Sequence, residues 1–180
     1  MVTNAFSYTV SKYGKILTAI IWLVSTLIYL YVHGVVTELE AAKYIEEAHY
    51  YINNDSFSAP RFYFYCATIF ILVFSIKIKI GLIGAFIIQA AINLFAFTLF
   101  YKALSKTFTK PVTPLLIIGY LLIFSPYQSW VVFLYTESVY FSAVLILISV
   151  LILYKPYNFK TILLIGLCLL LTIIARPLGI

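Results

Sequence analysis

Three stretches of this chain, 16–32, 80–101 and 138–154, run for at least seventeen residues without an Asp, Glu, Lys or Arg. Nothing in the hydrocarbon of a bilayer can bond an unpaired backbone N–H or C=O, so segments of this length and apolarity are expected to cross it as helices. Two shorter apolar runs, 113–124 and 161–175, extend the pattern. With 64% hydrophobic residues, 10% charged residues and a mean hydropathy of +1.06, the chain has too little polar surface to cover a soluble globule. The expected fold class is an all-α integral membrane protein with about five transmembrane helices, residues 1–180 forming a single polytopic domain.

A net charge of +6 would suggest a nucleic-acid partner in a soluble protein. Here the lysines stand in small groups beside apolar runs, so they read as topology signals and no nucleic acid is expected. Cys66 and Cys168 make neither a disulfide framework nor a CxxC pair, and His33 and His49 lack ligand spacing. No metal ligands are expected among them.

In chain order, Lys12 and Lys15 precede the first apolar run, and no small-residue cleavage site follows it. The run reads as an uncleaved signal anchor with a cytoplasmic N-terminus. The one extended polar region comes next, within an extracytoplasmic loop over 34–79. Ala41, Tyr44, Ile45, Ala48, Tyr51 and Ile52 fall on one helical stripe, while Glu40, Lys43, Glu46 and Glu47 take other faces. This pattern predicts an amphipathic helix lying on the membrane surface, ended by the turn residues Asn53, Asn54, Asp55 and Ser56.

Topology turns on 62–76, apolar but only about fifteen residues long and marginal for a span. If it is re-entrant or interfacial, Lys12, Lys15, Lys102, Lys106, Lys110, Lys155 and Lys160 share the cytoplasmic side, against Lys43, Arg61, Lys77, Lys79 and Arg176 outside. The positive-inside rule favours that arrangement, with spans at 16–32, 80–101, 113–124, 138–154 and 161–175. Gln89 and Asn93, four apart, should point toward neighbouring helices.

The same topology gathers Glu38, Glu40, Glu137 and Arg176 on the outer side. A carboxylate deep in a bilayer costs roughly 2.5–3.5 kcal/mol, which places Glu137 at the interface or beside a wet cavity. Two readings of it stand side by side. Thr136 could cap the following helix with Glu137 complementing its dipole, or Glu137 could face a reaction on a phosphate-bearing lipid. Glu40 can likewise pair with Lys43 at i+3, and Arg176 can snorkel.

Three short elements resemble the GT-C glycosyltransferases, polytopic enzymes that take sugars from polyprenyl-phosphate donors. Glu40, Tyr44 and Ala48 match the spacing of that superfamily's "D-x-x-x-Y-x-x-x-A" first-loop element, with Glu where Asp is more usual. YTESVYF at 135–141 looks like the "Y-S-E-S-L-F" element of the phosphatidylinositol-glycan mannosyltransferases, and IIARPLGI at 173–180 is similar to their "R-x-x-G" element. The resemblance implies a hexosyl or mannosyl transferase working on the outer face of a bacterial-type cytoplasmic membrane, with this chain as the N-terminal part of a longer module. Glu40 or Glu38 would be the general base, and Glu137, Arg176 and Tyr44 would bind substrate. Membrane lipids, a polyprenyl-phosphate sugar and a glycan, lipid or protein acceptor would be its partners. The resemblance implies no cofactor beyond the lipid-linked donor and leaves a divalent cation open. The competing class is a non-catalytic membrane scaffold or half-transporter, which would place ionisable groups within the spans.

Overall fold

The computed structural model describes residues 2–155 and 157–176, and regular structure among them is helical. Helix α1 spans Val2–His33 and α2 spans Glu40–Asn54. A 3-10 turn at Pro60–Tyr65 runs straight into α3, Cys66–Lys77. Helix α4 covers Gly81–Thr107 and α5 Val112–Ile123, followed by a single turn α6 at Ser125–Gln128 and a 3-10 turn at Ser129–Val132. The last two helices are α7, Thr136–Leu153, and α8, Phe159–Ala175.

Among the described residues four helical segments are long and apolar enough to cross a membrane: Tyr13–His33, Pro60–Lys77, Gly81–Thr107 and Thr136–Leu153. Val112–Ile123 and Phe159–Ala175 are apolar but shorter. The sequence reading assigned spans to both short helices and treated 62–76 as too short. That segment gains length because Pro60 begins the turn rather than interrupting it, proline's missing N–H being harmless at a first helical position.

Side-chain pairing sets the helix directions. Gly14 on α1 lies against Tyr101 on α4, and Trp22 donates its indole N–H to Asn93 Oδ1 at 2.7 Å, so α1 and α4 run antiparallel. Asn93 Nδ2 donates to Ser142 Oγ at 3.1 Å and Lys106 Nζ to the Leu153 carbonyl at 2.9 Å, which makes α4 and α7 parallel. Helix α8 then folds back along α7, and Arg176 at its end reaches Glu137 at the start of α7. One end of the bundle therefore collects Lys15, Lys102, Lys106, Lys110 and Lys155. The opposite end collects the end of α1, the start of α7, α2 and Arg176.

Two cores meet at α4. The larger one, with Trp22, Phe97, Ile118, Leu122 and Val132, joins α1, α4, α5 and α7. The smaller one joins Ala41, Tyr44 and Ala48 of α2 to Ile69 and Leu72 of α3 and to Leu134. The amphipathic stripe of α2 thus packs on protein instead of on lipid, because α3 offers it an apolar partner. Gln89 links the cores, donating to the carbonyls of Val131 at 3.1 Å and Phe133 at 2.7 Å. Each of these bonds occupies an acceptor that the broken helix after α5 leaves without an intrahelical donor.

Helix α3 descends only part of the way along α4. Its end folds over the start of α4, where the Ser75 hydroxyl bonds the Gly81 carbonyl and Gly84 leaves room for Ser75 and Ile80. Lys79 and Gly81 take positive φ, 62° and 68°, to make that turn. At its other end Ala67 shares a groove with Ile92 and Phe95, near the middle of α4.

Candidate functional site

The first loop is held by a two-bond clasp. Val36 N–H donates to the Val132 carbonyl at 2.9 Å and Leu134 N–H to the Val36 carbonyl at 3.2 Å, an isolated parallel bridge between Val36 and Phe133. Tyr135 extends the clasp by donating its hydroxyl to the Glu38 carbonyl at 3.3 Å. The connection from α1 to α2 is thereby fixed against the residues that lead into α7. Between them Leu39 adopts φ 56° and ψ −120°, a conformation that suits glycine and is strained for a leucine.

This arrangement aligns four side chains. Arg176 Nη1 stands 3.4 Å from Glu137 Oε1, and the Thr136 hydroxyl donates to Glu137 Oε2 at 3.2 Å. Tyr44 reaches the Thr136 hydroxyl from α2. Burial holds the Tyr44 phenol well above its ordinary pKa, and the negative charge of Glu40 adds to the effect. Tyr44 is accordingly a neutral phenol beside the row of Thr136, Glu137 and Arg176.

The expected site residues divide. Glu137 and Tyr44 are buried, and Arg176 is about two-fifths exposed while still paired with Glu137. Glu40 is exposed, with its carboxylate 3.1 Å from Lys43 Nζ, and it lies near enough to Tyr44 to act on its charge. The Glu38 side chain is exposed, and only its carbonyl is held. Of the "R-x-x-G" element only Arg176 lies within the described residues.

Thr136 has a different role from the one its sequence position suggests. Tyr135 takes the position before α7 without a side-chain cap, and Thr136 is already helical with its hydroxyl turned to Glu137. The link it makes between Tyr44 and Glu137 was missed from the sequence, although a Thr-Glu pair at a helix start is a visible signal. Among the described residues no three His, Cys, Asp or Glu side chains come together as ligands for a metal ion.

Behind the charged pair lies an apolar groove of about 610 Å³. Val139, Ala143 and Ile146 of α7 line it together with Cys168 and Leu171 of α8, so the two helices that carry Glu137 and Arg176 also wall the groove. Ala67 and Ile71 of α3 and Ile92 of α4 complete it. A cation beside an acid, at the head of a hydrocarbon-lined channel, can place a phosphate at one end of a long apolar tail. No family model matches this chain, and no curated protein or solved structure matches it.

Proposed function

We propose that the chain is a membrane glycosyltransferase module of the GT-C kind, which moves a hexose or mannose from a polyprenyl-phosphate donor to an acceptor hydroxyl at the outer face of a cytoplasmic membrane. The observation that carries this reading is the Glu137–Arg176 pair, at the head of the two helices that wall the apolar groove. In the proposed reaction the acceptor oxygen bonds to the anomeric carbon as the bond from that carbon to the phosphate oxygen breaks. The carboxylate of Glu40, or of Glu38, takes the hydroxyl proton, and the lipid phosphate leaves with the bonding electrons against Arg176. Tyr44, Thr136 and Glu137 hold the guanidinium in place for that phosphate. A glycan, lipid or protein supplies the acceptor hydroxyl.

The five-span topology belongs to the same proposal. It is supported by the reach of α3 itself, whose Ala67 shares a groove with Ile92 near the middle of α4 and whose end turns back into Gly81. The lysine-rich end then faces the cytoplasm by the positive-inside rule, and Glu40, Glu137 and Arg176 face out.

Retention of polyprenyl phosphate by the chain in lipid nanodiscs, read by native mass spectrometry, tests the reading. Arg176→Gln should lower retention at least tenfold, and Glu40→Gln should leave it unchanged while abolishing sugar transfer by the longer module of which this chain is proposed to be the N-terminal part. Equal retention by Arg176→Gln and the parent chain would overturn the assignment.

A further inference from the structure

A second cavity, about 630 Å³, opens at the lysine-rich end between α1, α4 and the connection over 108–111. Lys15 and Lys102 both line it, with the hydroxyl-bearing Ser105 and Thr109 and the apolar Ile16 and Phe108. Glycine at position 14 creates this geometry. A Cβ there would land on the Tyr101 hydroxyl, so glycine leaves room for that phenol at the point where the next residue on each helix is a lysine.

The charge around this cavity is uncompensated. All six carboxylates of the chain lie between positions 38 and 55 or at Glu137, at the opposite end of the bundle. The ion pairs among the described residues are Lys43 with Glu40 and Arg176 with Glu137, so neither Lys15 nor Lys102 has a carboxylate partner. Lys106 is turned away, its ammonium donating to the Leu153 carbonyl at 2.9 Å. Two ammonium groups and two hydroxyl side chains around one opening suit a phosphate. The opening continues onto the exposed apolar flank of α1 at Ile16 and Ile20, which suits the acyl chains attached to such a phosphate.

We propose that this cavity is a binding site for the phosphate headgroup of an anionic membrane lipid, held by Lys15 and Lys102 with its acyl chains along α1. The site is separate from the outer one and does not depend on the transferase reading. The test is lipid binding to the chain in nanodiscs containing phosphatidylglycerol or phosphatidylcholine. A lysine that faces the headgroup of an anionic lipid contributes about fivefold to its binding, so Lys15→Gln with Lys102→Gln should weaken phosphatidylglycerol binding about 30-fold. The Lys15→Arg, Lys102→Arg variant should restore it, which separates the site from a folding defect.

A control variant, Lys155→Gln with Lys160→Gln, removes the same charge outside the cavity and should change binding less than threefold. Equal losses in the two glutamine variants would show diffuse attraction and overturn the site. Equal binding of phosphatidylcholine and phosphatidylglycerol would overturn the phosphate assignment. Soluble glycerol phosphate that displaces the lipid at low concentration would overturn the membrane-lipid source.

Discussion

The indole N–H of Trp22 on α1 is bonded to the amide oxygen of Asn93 on α4 at 2.7 Å, inside the larger core. The same amide donates onward to Ser142 on α7, so one asparagine serves three helices. Hydrogen bonds between membrane helices are worth about 0.6–2 kcal/mol, because the separated helices also find partners. A double-mutant cycle of Trp22→Phe and Asn93→Ala should give a coupling energy of about 1 kcal/mol by steric-trapping or thermal unfolding. Asn93→Ala alone should cost more than Trp22→Phe, since it removes two hydrogen bonds rather than one.

Gly14 predicts a steric effect at the other end. Gly14→Val puts branched carbon where the hydroxyl end of Tyr101 lies, and overpacking of this kind typically costs about 1–3 kcal/mol. Pairing it with Tyr101→Ala should recover most of the loss in thermal stability.

Leu39 offers a gain. Its φ of 56° is unfavourable for a side chain that is largely exposed and packs little. Leu39→Gly should relieve strain worth about 1–3 kcal/mol and give back about 0.5–1 kcal/mol in glycine's chain entropy, for a net stabilisation of about 1 kcal/mol. The melting temperature of the purified chain should rise.

Tyr44 gives a pH signature. Its pKa is raised in the folded state, above the ordinary value near 10 of an unfolded tyrosine, because burial penalises the phenolate. The neutral phenol's contribution is therefore fully present below about pH 10 and is lost as pH rises further, through the folded value. The stability difference between the parent chain and Tyr44→Phe should be constant from pH 7 to about 9.5 and should fall above it. A flat difference to pH 11 would contradict the burial.

The ion pair can be measured without any substrate. Arg176→Gln leaves the buried Glu137 carboxylate with Thr136 as its remaining partner and should cost about 1–2 kcal/mol, less than a fully buried pair because Arg176 is part-exposed. Adding Glu137→Gln should return part of that loss in the same thermal assay.

What the sequence made legible follows from periodicity. Ala41, Tyr44 and Ala48 lie in the buried stripe that their spacing announces, and Gln89 and Asn93 point at neighbouring helices because an amide in hydrocarbon needs partners. Glu47 was invisible in the same pattern. It looks like one more charge on the polar side of α2, yet it is buried and accepts from the Ser58 N–H at 2.7 Å and from the Ser58 hydroxyl. That burial depends on a loop returning eleven residues later, which no helical period encodes. Likewise the sequence put Glu137 and Arg176 on one side of a membrane, but their contact required α8 to fold back along α7 with matching length. The extent of the Pro60–Lys77 segment was misjudged because a proline beginning a helix looks, in a string of letters, like one that ends it.

The bridge between Val36 and Phe133 has a consequence for biosynthesis. A ribosome delivers Val36 to the membrane almost a hundred residues before Val132 and Leu134 exist to receive its backbone groups. The loop bearing Glu38 and Glu40 must therefore wait, unclasped, while α3, α4 and α5 are threaded. Nascent chains stalled short of position 132 should be cut readily by protease near residue 36, and chains stalled once 134 has cleared the ribosome and translocon should resist.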